Sequence, residues 1–150
     1  MAIVNSNQKL LPTHEVIATA VVNAHRSGQL GDIPVQSALL VIAREGAMPN
    51  CDVMQIGNTV FISHFDDSRV EVAFRALNAD TARNYVDNIV EYLQRLVSSG
   101  VRRMTCDFAD PKILQVIKTI MRRPDFSRWG VSVYPLSTGE MRAYIVVAKE

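Results

Sequence analysis

Three histidines, two cysteines, one strand carboxylate and a cluster of arginines are the side chains with which this sequence could do chemistry. His14 and His25 share a helical stretch but stand eleven residues apart, about 16 Å along a helix axis, too far to hold one metal ion within that helix. His64 stands near Asp66 and Asp67, which leaves two readings open: an acid–base or metal centre, or a surface turn. The chain shows neither a Ser-His-Asp pattern nor a zinc motif. Cys51 and Cys106 are too few for a disulfide framework or a cysteine-built zinc site. They read as ordinary, partly buried thiols of a reducing compartment.

Glu71 belongs to an extended run, 70–77, in which Val70, Val72, Phe74 and Ala76 alternate with Arg69, Glu71 and Arg75. One face of that strand is therefore polar. A carboxylate there can serve as a general base if it faces a cleft. On a solvated face, with Arg69 or Arg75 paired to it, its pKa falls and its basicity with it. Arg122, Arg123 and Arg128 lie close in sequence to Phe126, Trp129 and Tyr134. Basic charge beside exposed aromatic rings suits single-stranded nucleic acid, whereas helix-end charges over core aromatics give the same pattern. The balance of 16 Lys plus Arg against 15 Asp plus Glu, net +1, supplies no broad field for nucleic acid or anionic lipid.

These residues must be positioned by elements that the spacing of apolar residues makes legible. Residues 1–12 are polar and irregular and read as an arm. After Thr13, a plausible cap, Val16, Ile17, Ala20, Val21 and Ala24 form one helical stripe that Gly28 can end. A second helix fits 35–46 through Val35, Ala38, Leu39, Ile42 and Ala43, with a strand through 39–42 as the competing reading. Extended runs 53–56 and 59–63 flank Gly57-Asn58, a hairpin turn pair. Asn78-Ala79-Asp80-Thr81 then opens the clearest helix, carrying Tyr85, Val86, Ile89, Val90, Leu93, Leu96 and Val97 and ended by Gly100. A strand at 101–108 follows. Asp110-Pro111 starts another helix, with Ile113, Leu114, Ile117, Ile120 and Met121, which Pro124 stops. A hairpin closes the chain, 130–136 against 141–148.

That order sets one strand–helix–strand crossover inside an otherwise antiparallel sheet. The expected architecture is a single α/β (α+β) domain over residues 1–150, with an arm (1–12), a helical segment (13–46) and a sheet core (53–148). At 150 residues with 48% hydrophobic composition, the chain can bury roughly 68–70% of its unfolded surface without disulfides or metals. No run is long enough to span a membrane and no export signal opens the chain, so the expected location is the cytoplasm.

Residues 53–148 resemble the GNAT acyltransferase family in this element order. The stretch 85–104 is similar to that family's cofactor-side helix and its exit to the next strand. The resemblance implies a mostly antiparallel central sheet with helices on both faces, acetyl-CoA as cofactor, and Glu71 as the strand carboxylate acting as general base. It also implies that Leu77, Asn78, Ala79, Asp80, Thr81 and Ala82 occupy the cofactor loop. The departures matter as much. The family's Gln/Arg-x-x-Gly-x-Gly/Ala loop cradles a pyrophosphate on exposed backbone N–H groups, with glycine permitting close approach. This chain has no glycine there, and Asp80 brings a negative charge to that place. The tyrosine that family members often use as general acid is replaced by an aliphatic stretch near Ile117. The resemblance thus implies a relative without acyltransferase activity or cofactor, working through protein–protein contacts in an assembly or homo-oligomer. The 78–82 segment is also similar to small GNAT-like phage proteins, some of them virion-associated, which would place the chain in a host cytoplasm or a virion. An acyltransferase with an altered acetyl-CoA loop is the alternative, and nucleic-acid binding through Arg122, Arg123 and Arg128 a third. No metal is expected.

Overall fold

The alternation of apolar and polar residues sorts the strands' side chains onto two faces of one sheet, and helices cover both. The computed structural model describes residues 14–26, 30 and 32–147. The arm, the Thr13 cap and Gly28 lie outside the described residues. Two helices come first, α1 (His14–Arg26) and α2 (Val35–Gly46), so the strand reading of 39–42 gives way to helix. The strands are β1 (Cys51–Ile56), β2 (Thr59–Phe65), β3 (Glu71–Asn78), β4 (Arg103–Phe108), β5 (Gly130–Pro135) and β6 (Met141–Val146). Two further helices, α3 (Ala82–Ser98) and α4 (Lys112–Met121), complete the set.

The sheet order is β1-β2-β3-β4-β6-β5. Only β3 and β4 pair in parallel, across the α3 crossover; all other neighbours are antiparallel. Parallel neighbours need such a crossover, and α3 provides it. This is the mixed, mostly antiparallel sheet that the element order predicts, with helices on both faces as the family resemblance implies.

Local chemistry fixes the ends of α3. Thr81 caps its start, its hydroxyl accepting from the Asn84 amide. At its end Gly100 takes φ +107°, with the Val101 amide donating to the Leu96 carbonyl and the Gly100 amide to Val97. That is a left-handed cap of the Schellman type, which glycine adopts without a Cβ penalty. Asp110 caps α4 by accepting from the Lys112 amide. Arg122 is the C-cap of that helix and Arg123 lies beyond it, before a short 3-10 turn at Pro124–Phe126.

Two apolar cores follow, one on each face. Under α3 and α4, Phe61, Phe74, Tyr92, Leu93, Met104, Ile117 and Ile120 pack together. Tyr92 is fully buried, stacked on Phe61 at 4.1 Å and edge-on to Phe74 at 5.0 Å. Its hydroxyl pairs with that of Ser63, which meets the need of both buried groups for a partner. Under α1 and α2, Ala20, Val21, Ala24, Ala38 and Ile42 meet Cys51, Val53, Val60, Ile62 and Leu77. These two helices cover β1, β2 and the end of β3. The rest of that sheet face, on β3, β4, β6 and β5, carries Glu71, Arg75, Arg103, Asp107, Arg142 and Tyr134, and among the described residues no helix lies over it. Among the described residues no helix is long and apolar enough to cross a membrane.

Candidate functional site: an internally filled anion position and a wedge in the sheet

The first turn of α3 meets the hairpin turn between β1 and β2, and Asp80 lies at their junction. A helix N-terminus presents unpaired N–H groups and the positive end of the helix dipole, and so attracts an anion. Here the anion is part of the chain. One Asp80 carboxylate oxygen accepts from the Thr81 amide and from the Asn84 side chain, both at 2.9 Å. The other accepts from the Asn58 amide at 3.1 Å and the Asn88 side chain at 3.2 Å. The Asn84 hydrogen bond, assisted by the Asn58 and Thr81 amides, holds the Asp80 pKa below the usual carboxylate value against the opposing effect of partial burial.

The rest of the segment is equally committed. The Asn78 side chain accepts from the Asp80 amide and from Thr59 Oγ1, and donates to the Asp80 carbonyl. Its carbonyl accepts from Asn23 of α1. The Ala79 amide donates to the Asn58 carbonyl. Leu77 is buried, while Thr81 and Ala82 are exposed. Asn88 donates to Thr59 as well as to Asp80. Gly57 approaches it so closely that a Cβ there would lie 2.7 Å from Asn88 Nδ2. Residues 77–82 thus form a tight connection, its polar groups turned inward to Asp80, Thr59 and the hairpin.

A second feature lies between β3 and β4. They are in register from Glu71 opposite Arg103 to Phe74 opposite Cys106. Beyond that point each follows its other neighbour, β3 staying on β2 to Asn78 and β4 on β6 to Phe108. The strands diverge and leave a wedge. On the α3/α4 side the wedge is filled by Ile113, Ile117, Ile120 and Phe108, leaving about 40 Å³. On the α1/α2 side it opens into a groove of about 500 Å³ that Arg75, Glu140, Glu45 and Asp32 border. Arg75 and Glu140 pair across this groove at 3.5 Å. Cys106 lines the wedge, but burial pushes its thiol up to about 12, far from a nucleophilic thiolate at neutral pH.

Glu71 is placed elsewhere. It starts β3, at the opposite end of that strand from Asn78 and so about 20 Å along it from Leu77, where the 77–82 segment begins. Its partner is Arg103 at 2.6 Å, both side chains about half exposed. The expected pairing with Arg69 or Arg75 is corrected by this geometry. Arg69 reaches Asp52 and lies over the Phe65 ring, and Arg75 reaches Glu140. Sequence neighbours lost to Arg103 because parallel pairing sets Glu71 directly against it, and directly opposed opposite charges are the favoured cross-strand contact.

Arg122 and Arg128 are exposed, and Arg123 pairs with Asp87 at 2.9 Å. Phe126 is buried and sits edge-on to Trp129 at 4.6 Å, and Trp129 is partly buried against the same core. Tyr134 is exposed on β5, on the open face. His64 turns away from Asp66 and Asp67, which engage Ser68 and Asn50. It meets Glu45 and Cys51 instead. Those contacts join α2, β1 and β2, and spacing along the chain carries no trace of them.

No family model matches this sequence, and no curated protein matches it. The fold itself is GNAT-like. The chain is similar to a crystal structure of a candidate phosphinothricin N-acetyltransferase, with a TM-score of 0.58 at 9% identity, over 94% of this chain and 98% of that one.

Proposed function

We propose that the chain uses a GNAT-like fold as a protein-binding scaffold and not as an acetyl-CoA-dependent enzyme. The observation that carries this reading is the Asp80 carboxylate, which takes four hydrogen bonds at the N-terminus of α3. A pyrophosphate brought to that helix end would meet a fixed negative charge and find two of its N–H donors engaged. A contact surface is supported by α2 and its flanks, where Ile33 (49%), Leu40 (66%), Val41 (45%) and Met48 (51%) are exposed. The partner in this reading is a second copy or an assembly protein. The similarity of residues 78–82 to phage proteins favours a virion-associated assembly.

An acetyl-CoA-dependent N-acyltransferase is the second reading, and the wedge between β3 and β4 favours it. On the α1/α2 side that wedge opens into the groove of about 500 Å³, where a ligand could enter between the strands. Calorimetric titration with acetyl-CoA separates the two. The scaffold reading expects no saturable heat at millimolar ligand and no rise in melting temperature. A ligand present at 100 times its dissociation constant adds about 2.7 kcal/mol of stability, so binding in the micromolar range is readily seen. Such binding would replace the scaffold by the enzyme.

A further inference from the structure

We infer that Glu45, Cys51 and His64 form a three-ligand site for a zinc-class divalent cation, independent of the function proposed above. Three elements bring them together. Glu45 lies in the last turn of α2, Cys51 opens β1, and His64 stands on β2 directly opposite Cys51 in the antiparallel register. One carboxylate oxygen, the sulfur and one ring nitrogen all lie within 4.8 Å of one another. The same nitrogen, His64 Nε2, is 3.3 Å from Glu45 Oε2 and 4.0 Å from Cys51 Sγ.

Those separations suit a tetrahedral ion. With metal–nitrogen and metal–oxygen bonds of about 2.0–2.1 Å and a metal–sulfur bond of about 2.3 Å, neighbouring ligand atoms stand about 3.3–3.6 Å apart. The nitrogen–oxygen distance is already there; the sulfur, 4.0 Å from the nitrogen and within 4.8 Å of the oxygen, must close by about half an ångström on the first and by up to about 1.2 Å on the second to reach those separations. One soft thiolate, one imidazole and one carboxylate form a mixed donor set for a borderline ion such as Zn²⁺. Backbone pairing fixes two of the three ligands before any ion arrives, because the β1–β2 register holds Cys51 and His64 face to face.

Coordination takes the Cys51 thiol proton to solvent and uses the Nε2 lone pair of neutral His64, whose proton then resides on Nδ1. Thiolate and carboxylate together balance the charge of a divalent ion. Three protein ligands leave a fourth position for water or a substrate atom. Glu45 and His64 also border a hollow of about 120 Å³ with Thr105, Asp107, Arg75 and Arg142. That hollow lies against the part of the sheet that no described helix covers.

The test is a titration of the full, reduced, metal-free chain with Co²⁺ followed by Zn²⁺. A sulfur-to-cobalt absorption band in the near ultraviolet, with intense visible bands of tetrahedral coordination, is expected to saturate at one equivalent and to disappear on adding Zn²⁺. Zn²⁺ binding at pH 7 should release about one proton, the one that coordination takes from the Cys51 thiol. Cys51→Ser should remove the near-ultraviolet band and Cys106→Ser should leave it. His64→Gln changes a side chain that is 45% exposed and so leaves the fold intact; it should weaken binding at least tenfold, about the low end of what a lost metal-site contact costs. Glu45→Gln should do the same. Absence of the band at millimolar Co²⁺ would overturn the site. So would unchanged affinity in His64→Gln, which decides the matter even if Cys51→Ser fails to fold.

Discussion

Asp80 and Glu71 are both acidic residues at an end of β3, and their surroundings set them to different work. Glu71 shares a half-exposed pair with Arg103, an arrangement worth little in free energy. Asp80 is ringed by four donors that favour its ionised form. A carboxylate whose folded pKa is lowered contributes stability that is present above the unfolded value of about 3.9 and is lost as pH falls through the folded value. Asp80→Asn should therefore cost about 1 kcal/mol near neutral pH, the usual scale for a lost helix-start hydrogen-bonding group. The difference between the two proteins should vanish in acid. Chemical denaturation at pH 7 and at pH 3 measures it; an equal difference at both would assign the cost to packing and not to charge. At this scale the sequence exposed Asp80 as an anion at a helix start. It could not show the Asn58 amide, supplied from a turn 22 residues away.

The β1–β2 hairpin and α3 form a joint unit, and Gly57 is where they touch. Its φ of +58° belongs to the left-handed region, and a Cβ would meet Asn88 Nδ2 at 2.7 Å. Asn88 cannot swing aside without releasing Thr59 and Asp80. Gly57→Ala should therefore destabilise by about 1–3 kcal/mol, combining backbone strain with lost hydrogen bonds. A thermal melt decides this, and a neutral result would mean that the turn and helix are not coupled. The elements themselves were legible because their signals are local: alternation in β3, helical spacing with a helix-start cluster at 78–81 and glycine stop in α3, a Gly-Asn turn in the hairpin. What joins them was not. Glu71 to Arg103, Arg75 to Glu140, and Glu45 to Cys51 and His64 are each set by strand register or helix docking, which no window of sequence contains.

Across the whole molecule the two sheet faces divide the labour. One is sealed by α3 and α4, and their side chains fill the wedge. On the other, the described helices cover β1, β2 and the end of β3, and α2 turns Leu40 and Val41 outward. If that face joins copies or partners, Leu40→Lys should leave stability within about 0.5 kcal/mol, as exposed substitutions do, while reducing association. Sedimentation velocity of both proteins at matched concentration reads this out. Equal, strictly monomeric behaviour would remove α2 as the contact surface. The GNAT-like fold was foreseeable from element order. The wedge was not, because strand divergence depends on which neighbour each strand follows after Phe74 and Cys106.

The anion position at α3 can be observed directly by following the backbone amide resonances of Asn58 and Thr81 through an acid titration, and again on addition of acetyl-CoA at neutral pH. Both amides donate to Asp80 and should report its ionisation at a pKa below the ordinary 3.8, with no saturating shift from the ligand. Titration at the ordinary value, together with saturable movement of the same two amides by acetyl-CoA, would show that the helix end is open to a cofactor and would contradict the scaffold reading.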